Sequence, residues 1–170
     1  MKNVKYDLKR KACCFTGHRS LMKDKSENLM TRLNLEIDKL IELGVSTYYS
    51  GGALGFDQIS ASIIIKKRDE GRSIELIFAL PHKNQDELWS SEQKVLYKSL
   101  LDKAYKIIYI SDAFDKDCMK KRNYYMVEHS SYCICALEYK RSGTFQTVRY
   151  AQKNGLNIVN VANVELRSLL

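Results

Sequence analysis

Side chains able to do chemistry cluster in this chain. They fall in Gly17-His18-Arg19-Ser20, in Ser50-Gly51-Gly52-Ala53-Leu54-Gly55-Phe56-Asp57, in Pro81-His82, in Ser111-Asp112 and in Arg141-Ser142-Gly143-Thr144. Glycines let backbone N–H groups approach an anion closely, and a helix that starts behind them adds a positive dipole end. An arginine such as Arg19 offers a planar fork for a phosphate. The hydroxyls of Ser142 and Thr144 can donate to a phosphate or cap a helix. Asp57 can accept from ribose hydroxyls or serve as a helix-start carboxylate favoured by the dipole. His18 can touch a ligand or cap its own turn. The glycine loop is not G-x-G-x-x-G and lacks the lysine of a P-loop, so a tight strand-to-helix turn remains an alternative to a phosphate cradle. His82 and His129 have no acidic partners at spacings that suggest a triad.

These clusters share a context, because each follows a short apolar run. Ala12–Phe15, Thr47–Ser50, Ile74–Leu80, Tyr105–Ile110, Tyr132–Leu137 and Leu156–Val161 read as strands. Between them apolar residues recur at helical spacing. Leu29, Met30, Leu33, Ile37, Leu40 and Ile41 form one stripe, stopped by Gly44; Phe56, Ile59, Ser60, Ile63 and Ile64 form a second, ended near Gly71. Asn84 with Glu87 resembles a capping pair that opens a helix running to about Lys103. Further helices are expected over 118–128 and 144–154. The expected order is β-α five times, then β. It implies one α/β domain over residues 1–170, Rossmann-like, three-layered, with a mostly parallel sheet and right-handed crossovers. In such a sheet the post-strand clusters share the carboxyl edge, where ligands bind near the switch in strand order.

The 170 residues suit a single domain, and a 45% hydrophobic content argues against disorder. No apolar run approaches the roughly 20 residues of a membrane-spanning helix, and the start of the chain does not read as a signal peptide, so a cytoplasmic protein is expected. Cys13, Cys14, Cys133 and Cys135 lie in strand-like runs and are expected as buried free thiols; Cys118 sits in a polar stretch, and no zinc spacing occurs, so no metal is expected. The net charge is +8, with clusters at Lys2, Lys5, Lys9, Arg10, Lys11 and at Lys120, Lys121, Arg122. Such a balance suits phosphorylated partners or a plain lysine-rich surface.

Taken together, Phe15-Thr16-Gly17-His18-Arg19, the Ser50–Asp57 loop, Arg122-Asn123 with Met126-Val127, and Ser142-Gly143-Thr144 resemble the SLOG superfamily. This Rossmann-like group joins the DNA-processing protein DprA and the Lonely Guy enzymes, and the likeness is to its YpsA-like bacterial and phage members. The resemblance implies a Rossmann-like fold, frequent self-association and a nucleotide or nucleotide-derived ligand, ADP-ribose-like or a cyclic nucleotide. Its expected contacts are Gly17, His18, Arg19, Ser50, Gly51, Gly52, Gly55, Asp57, Pro81, Arg122, Asn123, Ser142, Gly143 and Thr144. No cofactor is implied.

Part of the chain is also similar to the Lonely Guy enzymes, which cleave a nucleoside monophosphate. Met119 to Met126 resembles their Met-x-x-Arg-Lys-x-x-Met segment, and Gly143-Thr144 the end of their Pro-Gly-Gly-x-Gly-Thr-x-x-Glu loop. Where those enzymes carry the catalytic glutamate, this chain has Thr147, and a hydroxyl cannot supply a carboxylate's chemistry. The expectation is therefore a binder or sensor rather than an enzyme. The alternatives are a nucleotide N-glycosidase with Asp57 as its acid or nucleophile, and a single-stranded DNA binder. Dispersed basic residues without interleaved aromatics speak against the last.

Overall fold

The computed structural model describes residues 9, 11–20, 26–162 and 165–170. Lys2, Lys5 and Arg10 of the amino-terminal basic cluster lie outside them. The elements are β1 (Ala12–Gly17), α1 (Ser26–Glu42), β2 (Thr47–Ser50), α2 (Phe56–Asp69), β3 (Glu75–Leu80), α3 (Ser91–Asp102), β4 (Lys106–Tyr109), α4 (Cys118–Glu128), β5 (Tyr132–Ala136), α5 (Gly143–Lys153) and β6 (Asn157–Asn160), followed by the short α6 (Leu166–Leu169). The strands form one six-stranded sheet in the order β4-β3-β2-β1-β5-β6. Every pairing is parallel, where the sequence led us to expect a mostly parallel sheet. The chain steps outward from β1 to β4, then returns to the other side of β1 for β5. The strand order therefore switches between β1 and β5, and at such a point the loops diverge and leave a crevice.

Successive strand residues face opposite sides, and this alternation sorts the apolar residues into two cores. On one side Phe15, Tyr48, Leu76 and Phe78 pack with Leu33 and Ile37 of α1, Ile64 of α2 and Leu100 of α3. On the other, Cys14, Ala79, Cys133 and Cys135 pack with Met126 and Val127 of α4 and Val148 and Ala151 of α5. The second surface sets the small side chains of Ala12, Cys14, Ala79, Cys133 and Cys135 beside Tyr49 and Ile77. All five cysteines are free and buried, including Cys118, whose neighbours in sequence are polar. Burial pushes the Cys135 thiol up to about 12 and Cys13 well above the ordinary range, which suits packing rather than nucleophilic chemistry. No helix among the described residues is long and apolar enough to cross a membrane.

Helix α1 buries Leu29, Leu33, Ile37 and Leu40 and stops where Gly44 takes a positive φ of 85°. There the Val45 N–H reaches the Leu40 carbonyl and the Gly44 N–H that of Ile41, which closes the helix end. The expected start of α3 is corrected. Asn84 and Glu87 lie in turns, and the helix opens at Ser90, whose hydroxyl accepts from the Gln93 N–H while the Gln93 side chain accepts from the Ser90 N–H. The turns have their own task. They bury Gln85, whose amide donates to the Tyr97 hydroxyl at 2.7 Å and to the Gly51 carbonyl at 3.3 Å. A helix begun at Asn84 would compete with that placement.

The corrected cap has a measurable consequence. Ser90→Ala should lower stability by about 1 kcal/mol in urea denaturation, whereas Asn84→Ala should cost a few tenths at most.

Candidate binding cleft at the strand switch

Four segments meet where the strand order reverses. The end of β1 brings Thr16, Gly17, His18, Arg19 and Ser20; the start of α2 brings Ala53 and Asp57. The first turns of α4 bring Met119, Arg122 and Asn123, and the loop after β5 brings Tyr139, Ser142, Gly143 and Thr144. Together they line a cleft of about 440 Å³. The lining carries two guanidiniums against one carboxylate, and the amino end of α5 adds its positive dipole end, so the cleft suits an anion.

Arg122 organises this space. It is 5% exposed and projects from α4, on one face of the sheet, over the carboxyl edge toward α2 on the other. Its Nη1 donates to the Gly51 carbonyl and lies 3.8 Å from Oδ2 of Asp57. Its Nε donates to Asn123 Oδ1 at 2.7 Å; Asn123 Nδ2 donates to the Thr147 hydroxyl at 2.9 Å, which donates to the Gly143 carbonyl at 2.8 Å. One chain of hydrogen bonds thus links the glycine loop, the start of α4 and the start of α5. Burial opposes charge on both members of the pair. It raises the Asp57 carboxyl above its usual value against the pull of Arg122 and the amides of Ala53 and Gly51, and it lowers Arg122.

The glycine loop serves the protein's own side chains. The Gly51 and Ala53 amides lie near the Asp57 carboxyl and favour its charged form, and the Gly52 N–H donates to the Ser50 hydroxyl at 3.2 Å. The carboxylate beside this loop is the protein's own Asp57. A Cβ on Gly51 would overlap the Arg122 guanidinium, so glycine is needed there for close approach. Gly55, at φ 82°, lies so near the Arg19 and His18 carbonyls that a side chain would collide with them. Ser50, Gly51, Gly52, Gly55 and Pro81 stand outside the cleft wall, whereas Gly17, His18, Arg19, Asp57, Arg122, Asn123, Ser142, Gly143 and Thr144 form part of it.

His18 is buried. Its Nε2 accepts the Glu138 N–H at 3.2 Å, and its ring stacks on Tyr139 with centroids 4.1 Å apart and planes 9° from parallel. That contact ties the loop after β1 to the loop after β5. Ser142 caps α5 by accepting from the Phe145 N–H at 3.1 Å, so its hydroxyl is the helix cap. Just before it Arg141 holds a φ of 61°, unusual for a residue with a side chain, and the chain turns there from Tyr139 into the helix. Sequence reasoning missed Tyr139, Met119 and Ala53, though each adjoins or lies within a segment already singled out. Gln85 and Tyr97, which brace the Gly51 carbonyl, carried no local signal at all.

The family follows from comparison with known proteins. The YpsA model, described as the YspA SLOG family, matches residues 13–165. The chain belongs to the YspA SLOG family. It is 33% identical over 121 residues to the uncharacterized SPbeta prophage-derived protein YoqJ of Bacillus subtilis (strain 168), covering 64% of this chain and 71% of that one. The fold is shared with DNA processing protein A (DprA) from Streptococcus pneumoniae at a TM-score of 0.62 and 16% identity, over 89% of this chain and 50% of that one. It is also shared with DNA processing protein A from Helicobacter pylori, a protein with a described single-stranded DNA binding mode. There the TM-score is 0.61 at 19% identity, over 91% of this chain and 66% of that one. The chain thus spans half to two-thirds of the length of these two structures, and at such identities the likeness is one of fold.

Two outcomes are expected from the site's electrostatics. Arg122→Met should destabilise the protein by about 3–5 kcal/mol in urea denaturation, because it leaves Asp57 buried without its partner. Adding Asp57→Asn to that variant should restore a large part of the loss; additive losses would deny the pairing. Burial lowers the pKa of His18, opposed by the Glu138 charge. The stability that the neutral imidazole contributes is complete above the ordinary value of about 6.5 and is lost as pH falls through the lower folded value. Denaturation between pH 7.5 and 5 should show that loss in the native protein and a shallower one in His18→Gln.

Proposed function

We propose that the cleft at the β1–β5 switch binds a nucleotide or nucleotide-derived ligand through its phosphate, and that the protein acts as a binder or sensor. The observation that carries this reading is the convergence on one cleft of Arg19, buried Arg122 and the amino end of α5, with a single carboxylate among them. Arg19 is exposed and free to swing its fork onto a phosphate, and Gly143-Thr144 offer it the start of a helix. Arg122 is committed to Gly51 and Asn123, so it shapes the wall and adds field more than it grasps. Family membership supports the ligand class, and an ADP-ribose-like molecule or cyclic nucleotide suits a cleft of this volume. The reading extends to a homo-oligomer, as the family resemblance implies, and to a cytoplasmic location, as the sequence led us to expect.

Cleavage of an N-glycosidic bond is the second reading. It is favoured by one observation, the buried Asp57 carboxyl at the cleft wall with its raised pKa. Two others weigh against it. The Asp57 carboxylate already lies 3.8 Å from the buried Arg122 guanidinium, and the Thr147 hydroxyl is 1% exposed and hydrogen-bonded to Asn123 and the Gly143 carbonyl.

A thermal-shift panel of nucleoside phosphates, ADP-ribose, NAD and cyclic nucleotides tests the proposal. A ligand at about 100 times its Kd should stabilise the fold by roughly 2.7 kcal/mol, and no shift from any member would reject the reading. With the ligand so found, calorimetry should show Arg19→Ala losing roughly 1.5–3 kcal/mol of binding and Lys9→Ala nearly none. Chromatography of the same mixtures should return the ligand intact. Base release that disappears in Asp57→Asn would establish the hydrolase instead.

A further inference from the structure

On the outer side of α4 and α5, away from the sheet, lies a second concavity of about 830 Å³. Lys120, Tyr124, Phe145, Arg149, Tyr150 and Lys153 line it, with Gln146 and Gln152 between them. Its chemistry is periodic. Lys120 and Tyr124 stand four residues apart on α4; Phe145, Arg149 and Lys153 repeat at the same interval on α5, as do Gln146 and Tyr150, so each set forms a stripe along one helix face. Tyr124 and Tyr150 stack across the helices, with centroids 3.7 Å apart and planes 9° from parallel. Lys120 lies 5.6 Å from the Tyr124 ring centroid and Arg149 5.9 Å from that of Phe145. The nearby carboxylate, Glu128, accepts a hydrogen bond from the Tyr150 hydroxyl at 2.6 Å. Lys121 is engaged with Asp115 and takes no part.

We propose that this groove is a docking surface for single-stranded nucleic acid, distinct from the cleft of the proposed function. Half-buried, mutually braced aromatic rings edged by cations are what a strand with stacked bases and a charged backbone requires. Charge decides between occupants. In a two-fold contact of this face with a second copy, Lys120, Arg149 and Lys153 would confront their own equivalents, with no carboxylate in the groove's own lining and Glu128 beside it. A polyanion meets them all favourably. The groove and the cleft lie back to back on the same turns: Met119, Gly143 and Thr144 face the cleft, and Lys120, Phe145 and Gln146 face the groove.

Fluorescence anisotropy with labelled dT12 and rU12 tests this on the full chain. Binding should be measurable at 50 mM salt and fall steeply toward 200 mM. Tyr124→Ala and Tyr150→Ala should each weaken it about tenfold or more, while Tyr124→Phe, which keeps a stacking face, should stay within about threefold of the native protein. Arg149→Gln and Lys153→Gln should each reduce the salt slope by about one. Melting temperatures of all variants show that the fold is intact, and Arg19→Ala should leave oligonucleotide binding unchanged. No binding at 50 mM salt, binding indifferent to the tyrosines, or binding lost in Arg19→Ala would overturn the proposal. So would sedimentation showing a dimer that Arg149→Gln dissociates. The thermal-shift panel is independent of these results, because Arg19 and not Tyr124 governs it.

Discussion

The carboxyl edge of the sheet depends on one buried cation. Arg122 reaches from the α4 side of the sheet to the α2 side, takes the Gly51 carbonyl and faces Asp57. A guanidinium cannot shed its proton in a protein, so once it is buried its surroundings must supply acceptors. Much of the local architecture meets that demand. Gly51 lacks a side chain because the guanidinium fills the space. Asp57 stands in the first turn of α2 as a counter-charge, and Asn123 takes the remaining Nε–H.

The same demand explains why glycine stands beside the guanidinium in this loop. Its Gly51 carbonyl accepts from Arg122 and its Gly52 N–H donates to Ser50, while Arg19, Arg122 and the start of α5 give the cleft its positive field. The hydroxyl of Thr147 belongs to the same economy of hydrogen bonds: it links Asn123 to Gly143 and so fixes the distance between the starts of α4 and α5. Apart from exposed Arg19, much of the polar wall is held by partners within the protein: Arg122 by Gly51 and Asn123, Asn123 by Thr147, and Ser142 by the Phe145 N–H. The back-to-back placement of cleft and outer groove on α4 and α5 gives the two surfaces a shared rigid support.

Much of the fold was legible in the sequence because its signals are local. Phe15 and Cys14 alternate across the sheet, Leu29, Leu33, Ile37 and Leu40 repeat at helical spacing, and Gly44 ends the helix that they predict. The helix start at Asn84 was misread for a reason equally physical. The Asn84–Glu87 spacing fits a cap, but Gln85 is drawn to the Gly51 carbonyl, 34 residues away in sequence, and that contact overrides local preference. The stacked tyrosines were hidden likewise. Tyr124 and Tyr150 belong to different helices, and only their packing brings Lys120 and Tyr124 of one beside Phe145, Arg149 and Lys153 of the other.

From the sequence alone came the order of strands and helices, the parallel sheet, and the placing of Gly17, His18, Arg19, Asp57 and Ser142-Gly143-Thr144 at strand ends, because each is set by residues close in the chain. The tertiary structure decided which of these groups face the cleft. It turned Gly51 and Gly52 inward to serve Arg122, Asp57 and Ser50, and brought Tyr139 onto His18. It also aligned Lys120, Tyr124, Arg149 and Tyr150 along one groove. Those outcomes depend on which side of the sheet each helix covers and on how buried charges find their acceptors, and both are properties of packing between segments far apart in sequence.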